Sequence, residues 1–202
     1  MIQTLADKTA RFIAKGDETA DVEVLTYGYY MFYQQWITTI VILLLALVCG
    51  LFFPVLVSMV VSMTLRGSTG GTHATRAIIC KIVAFVMAFA PALAAEVFGL
   101  RMFPIAFVVL YLLCIALIVV YVPTDTDVKK FTNPRLRKRM KIESLVLVSL
   151  FFAAAIFLQE RIPVIAFVIA IITFVACSLV HPMAYWLFGF DPVTKEAKKS
   201  RW

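Results

Sequence analysis

The stretch from Met102 to Val122 carries no charged residue, and it is one of several such stretches in the chain. A hydrocarbon layer about 30 Å thick is crossed by about 20 helical residues at 1.5 Å each. A run of that length reads as a membrane-spanning helix, which pairs its own backbone groups where no water can do so. Hydrophobic residues make up 62% of the 202 residues, against about 45–50% in soluble domains. The excess excludes a water-soluble core and predicts an all-α, polytopic integral membrane bundle.

Residues 22–65 are apolar apart from Glu23, Gln34-Gln35 and scattered Ser and Thr. That is too long for one crossing, and Gly50 and Pro54 offer a turn. The predicted spans are 22–49, 51–66, 77–97, 102–122, 143–159 and 163 to near 186–190, about six transmembrane helices. Pro123 stops the fourth, a polar loop follows from Thr124 to Arg139, and Glu160-Arg161-Ile162-Pro163 turns into the last. Residues 1–21 hold seven charged side chains and no apolar core before a small-residue cleavage site, unlike a cleavable signal. Ile2, Leu5, Ala6, Phe12 and Ile13 recur at roughly helical spacing. They suit a short N-terminal amphipathic helix on the membrane surface, or a frayed polar tail. No internal repeat points to an inverted-repeat transporter. The expectation is one membrane domain over 1–202, with a basic loop at 123–142 and a tail at 191–202.

The formal net charge is +7. No aromatic-interleaved basic patch accompanies it, so nucleic acid is not an expected partner. Membrane lipid is, because cytoplasmic loops rich in Lys and Arg are drawn to anionic headgroups. The cations fall in 1–21, 66–81, 129–141 and 195–201, with only Arg101 and Arg161 elsewhere. If 22–65 forms a hairpin, every cation-rich segment shares one side, and both termini and the His73–Cys80 segment lie in the cytoplasm. A single crossing over 22–65 would instead put the N-terminal cations outside.

Between the second and third spans lies Arg66-Gly-Ser-Thr-Gly-Gly-Thr-His73-Ala-Thr-Arg-Ala-Ile-Ile-Cys80-Lys81. A histidine and a cysteine among glycines and cations have the makings of a thiol nucleophile with its base. On one continuous helix, seven residues would separate them by about 10 Å, whereas proton transfer needs about 3 Å. The chain must therefore bend between them. Gly70-Gly71 resists helix, and Thr72 or Thr75 suits an N-cap. Cys80 would then lie in the first or second turn of a helix, with His73 folded back. The helix N-terminus, Arg76 and Lys81 would stabilise a thiolate. The bland reading is a tolerated polar histidine and a packing cysteine. One His and one Cys are too few for a structural zinc, so no metal and no cofactor is assigned. Cys49, Cys80, Cys114 and Cys177 have no paired or metal-ligand spacing. His181, followed by Pro182, reads as structural.

Arg66-x3-Gly70-Gly71-x-His73-x6-Cys80 resembles the signature of the accessory gene regulator B (AgrB) family. These are membrane cysteine endopeptidases of Gram-positive bacteria that process the quorum-sensing propeptide AgrD. Val120-Tyr-Val-Pro123-Thr-Asp-Thr-Asp-Val-Lys129-Lys130, followed by a basic run to Lys141, resembles a second stretch of the family. Tyr27-Gly28 resembles a third. Many members carry an acid two positions after that pair, where this chain has Tyr30; Gln34 and Gln35 are nearby substitutes.

The resemblance implies Cys80 as nucleophile and His73 as its base. It implies an AgrD-like propeptide as substrate, an acyl-enzyme thioester, and a thiolactone or lactone autoinducing peptide as product. It suggests a homodimer. Arg66, Gly70, Gly71, Lys129 and Lys130 become substrate-binding candidates. Arg66 is equally readable as a cationic anchor for its helix, and the basic loop as a contact with anionic lipid. The rival readings are a small peptide exporter, which would need intramembrane charges, and a membrane scaffold indifferent to His73 and Cys80.

Overall fold

The computed structural model describes residues 2–15, 21–69, 77–98, 103–123, 133–181 and 183–184. Among them are seven helices and no strand: α1 (Ile2–Ala14), α2 (Val22–Val48), α3 (Phe52–Thr69), α4 (Ala77–Phe98), α5 (Pro104–Tyr121), α6 (Pro134–Leu158) and α7 (Pro163–Ser178). Helices α2 to α6 are long and apolar enough to cross a membrane; α7 is apolar but shorter, at 16 residues. The architecture is the all-helical polytopic bundle that the apolar runs predict. Packing divides the chain into two compact units, Met1–Gly50 and the residues from Leu51 onward.

In the first unit α1 packs against α2. Ala6 and Ala10, one turn apart, are buried, while Leu5, Phe12 and Ile13 stay exposed. Small residues let the two helices approach, and the exposed apolar row suits a lipid interface. The amphipathic helix therefore forms, in place of a frayed tail. Asp7 pairs with Arg11 at 3.0 Å, and the hydroxyls of Thr9 and Tyr33 lie 2.9 Å apart. Asp21 caps α2 by accepting from the backbone N–H groups of Glu23 and Val24. The 27 residues of α2 span about 40 Å, more than the hydrocarbon layer. Tyr27, Tyr29, Tyr30 and Tyr33 in its first half fit the headgroup region. Gly50 ends it at φ 73°, the left-handed geometry that glycine adopts freely.

In the second unit α7 touches α3, α4, α5 and α6. Nine of its residues are buried, from Ala166 to Cys177, because it is apolar all round and can satisfy no wet face. Leu65, Phe107, Ile118, Val148 and Ile172 are fully buried in the same core. Proline stands at N1 or N2 of α5, α6 and α7, where its missing N–H is harmless. Pro54 likewise sits in the first turn of α3, so the turn before it belongs to Gly50 alone.

Three boundaries differ from the sequence expectation. Helix α3 continues to Thr69, so Ser68 and Thr69 are helical and not part of a loop. Their hydroxyls donate to the carbonyls of Thr64 and Leu65, at 3.3 and 2.9 Å, which keeps them satisfied inside the helix. Helix α6 begins at Pro134 and not at 143. Asn133 caps it by accepting from the Arg135 N–H at 3.0 Å, and the Arg, Lys and Met residues that follow are good helix formers. The second half of the expected basic loop is thus helix. Helix α7 ends at Ser178, well short of 186.

Proline also occurs inside a helix, at Pro91 of α4. It removes the N–H that would bond the carbonyl of Met87, four residues back. Ser58 Oγ of α3 donates to that carbonyl at 2.8 Å, in a buried position. A neighbouring hydroxyl thus replaces the lost helical bond, as lipid surroundings demand.

Candidate functional site

Cys80 is the fourth residue of α4, which Ala77 opens. The glycine pair and the threonines ahead of it predict a place in the first or second turn. Its free thiol is half-buried. Val83, Ala84, Met87, Ala88, Pro91, Ala92 and Ala95 follow it at helical spacing and are buried or half-buried. Cys80 therefore heads the inward stripe of α4, and Lys81 beside it is exposed. The thiol sits where the unpaired N–H groups of a helix start lend positive potential.

Arg66 lies half-buried in the last turn of α3, where a cation favours the helix dipole. Helices α3 and α4 pack together and are separated by only seven residues, 70–76. Arg66 and Cys80 thus flank the motif from the two helix ends that enclose it. His73, Gly70, Gly71, Lys129 and Lys130 lie outside the described residues.

The basic run is partly accounted for by internal contacts. Lys141 donates to the carbonyl of Val119 at the end of α5, and Arg139 pairs with Glu143 at 2.6 Å. Arg135 and Lys138, three residues apart, are exposed on α6.

The stretch around Tyr27-Gly28 borders a cleft of about 630 Å³ between α1 and α2. Glu23, Thr26, Tyr27 and Tyr30 line it from α2, and Gln3, Asp7 and Arg11 from α1. Gln34 donates to the Tyr30 hydroxyl at 3.0 Å, so one of the two glutamines is engaged with Tyr30. A Cβ on Gly28 would meet nothing within 4 Å, so packing in this chain does not require glycine there. Sequence reading missed this cleft because α1 and α2 are both needed to build it.

His181 is held locally. Its Nδ1 accepts from the Met183 N–H at 3.2 Å, and its ring meets Tyr121 edge-on at 5.0 Å. Cys114 of α5 and Cys177 of α7 are buried free cysteines of the same apolar core. Among the described residues no group of three or more His, Cys, Asp or Glu side chains is placed to hold a metal ion.

The sequence profile of the accessory gene regulator B family matches residues 6–181. The chain belongs to that family. The match runs from α1 to the end of the helical core, so the amphipathic helix, the Arg66–Cys80 motif and the basic segment all fall inside it. The family is known for processing quorum-sensing propeptides, and its membership agrees with the five apolar helices in marking a multi-pass membrane protein. No curated protein and no solved structure matches the chain.

Proposed function

We propose that this chain is a membrane cysteine endopeptidase that removes the C-terminal tail of an AgrD-like propeptide. Cys80 is the nucleophile and His73 the base. The thiolate attacks the carbonyl carbon of the scissile peptide bond, and His73 takes the thiol proton and returns it to the leaving amine. The tail departs, and the remaining peptide is held as a thioester on Cys80. A cysteine or serine within the peptide then attacks that thioester, closes a thiolactone or lactone, and frees the Cys80 thiol.

The observation that carries this reading is the place of Cys80: first turn, inward stripe, next to the family motif. Exchange of one thioester for another is near neutral, while making a thioester from an amide is uphill. Tail release must therefore pull the reaction forward, and water must be kept from the acyl-enzyme. A half-buried thiol at the end of a helix bundle supports both demands better than an open surface would. Arg66 is assigned to a substrate carboxylate or the developing oxyanion, with Gly70 and Gly71 giving close backbone approach. Lys129 and Lys130 are assigned to the propeptide's tail. The charge distribution supports a cytoplasmic active site and cytoplasmic termini.

The experiment is a trap. A propeptide whose ring-closing residue is replaced by alanine cannot resolve the thioester. Intact-mass analysis should then find the protein heavier by the tail-less peptide, with the adduct on Cys80 and labile to hydroxylamine. Tail release without any adduct on Cys80 would contradict the assignment.

A further inference from the structure

We propose that Ser58 is a positioning residue for the Cys80 nucleophile: its bond to the Met87 carbonyl sets the register of α4 against α3 and holds Cys80 level with Arg66. The inference rests on the peptidase reading of Cys80, and it adds a residue far from the motif.

Helices α3 and α4 are in contact and separated by seven residues, so they run antiparallel. Ser58 Oγ and the Met87 carbonyl meet at 2.8 Å, which fixes one shared height on the pair. Arg66 lies eight residues along α3 from that point, about 12 Å at 1.5 Å per residue. Cys80 lies seven residues back along α4, about 10 Å in the same direction. The two residues therefore stand within about one turn of the same height. Cys80 also shares a face with Met87, since seven residues are close to two full turns.

Apolar contact alone would leave this register loose. Val57, Val61 and Leu65 of α3 and Val83 and Met87 of α4 belong to one hydrophobic cluster, whose attraction is non-directional. The hydroxyl bond does not slide. It is directional, buried, and aimed at the carbonyl that Pro91 leaves without a helical donor. Serine and proline thus act together: the proline creates an acceptor at one place on α4, and the serine docks there.

The test uses the full chain in membranes with a matched propeptide, and two readouts. The first is the yield of a short bis-thiosulfonate cross-link between Arg66→Cys and Cys80, with the other three cysteines replaced by alanine. The second is the kcat and KM of tail release in the otherwise native chain. Ser58→Ala should lower the cross-link yield and kcat at least five-fold with KM little changed, and Ser58→Thr should restore both. The Ser58→Ala/Pro91→Ala double variant returns a helical donor to Met87 but removes the pin. It should regain thermal stability while cross-link yield and kcat stay low. Recovery of kcat and cross-linking with stability would reduce Ser58 to a folding role and overturn the proposal. Unchanged cross-linking in Ser58→Ala would overturn it as well. The cross-link reads register even if no variant processes peptide, so failure of the peptidase reading and failure of the positioning claim are separable.

Discussion

The ammonium of Lys141, two turns into α6, donates to the backbone carbonyl of Val119 in the last turn of α5. A helix end has carbonyls without helical partners and a negative dipole, and a lysine satisfies both. The contact ties the two helices together across the 22 residues that separate the partners. Lys141→Met keeps the apolar stem and removes the donor. It should lower stability by about 1 kcal/mol, read as a drop in the thermal midpoint in detergent. Lys138→Met, on an exposed side chain, should leave the midpoint unchanged.

Asn133 is the N-cap that starts α6 ahead of the apolar run. Asn133→Ala should cost about 1 kcal/mol and speed amide exchange in the first turn of α6. Asn133→Asp keeps the acceptor and should preserve protection. Equal exchange in the alanine variant would mean that the basic turns are held by something other than the cap.

Ala170 is fully buried on α7, the helix that touches four others. Close helix approach in lipid depends on such small side chains. Ala170→Leu should destabilise by about 1–3 kcal/mol through overpacking. Leu150→Ala, at a side chain 59% exposed, should change little, because lipid replaces the contacts it loses. Thermal unfolding of the two variants beside wild type measures the contrast.

Cys49 is an exposed free thiol one residue before the Gly50 turn. The proposed topology puts that turn outside the cell. In a variant with Cys80, Cys114 and Cys177 replaced by alanine, a membrane-impermeant maleimide should label Cys49 in intact cells. A cysteine placed at Lys138 should be labelled only after permeabilisation. The reverse pattern would invert the topology, and labelling of both from outside would break the hairpin over 22–65.

Most spans were legible because long charge-free runs leave few alternatives. The run from 102 to 122 became Pro104–Tyr121, and 77 to 97 became Ala77–Phe98. The start of α6 was hidden because the charges from Arg135 to Lys141 suggest solvent. Charge is compatible with helix, and Asn133-Pro134 was the available signal of a cap followed by a first-turn proline. The extra turn of α3 was hidden because Ser68 and Thr69 favour loops unless their hydroxyls bond back, as they do here. At the site, the apolar run from 77 placed Cys80 near the start of α4, and the structure puts it in the first turn. The Ser58–Met87 bond spans 29 residues, and no local pattern encodes that pairing.

In the proposed reaction Cys80 and His73 carry out tail release. Its most direct measurement is mass-spectrometric detection of the released tail and the cyclic peptide in membranes containing a matched propeptide and one variant at a time. Wild type should yield both products, and Cys80→Ala, Cys80→Ser and His73→Ala should yield neither at wild-type protein levels. Normal processing by the Cys80 or His73 variants would rule out the dyad and leave a transporter or scaffold as the better description.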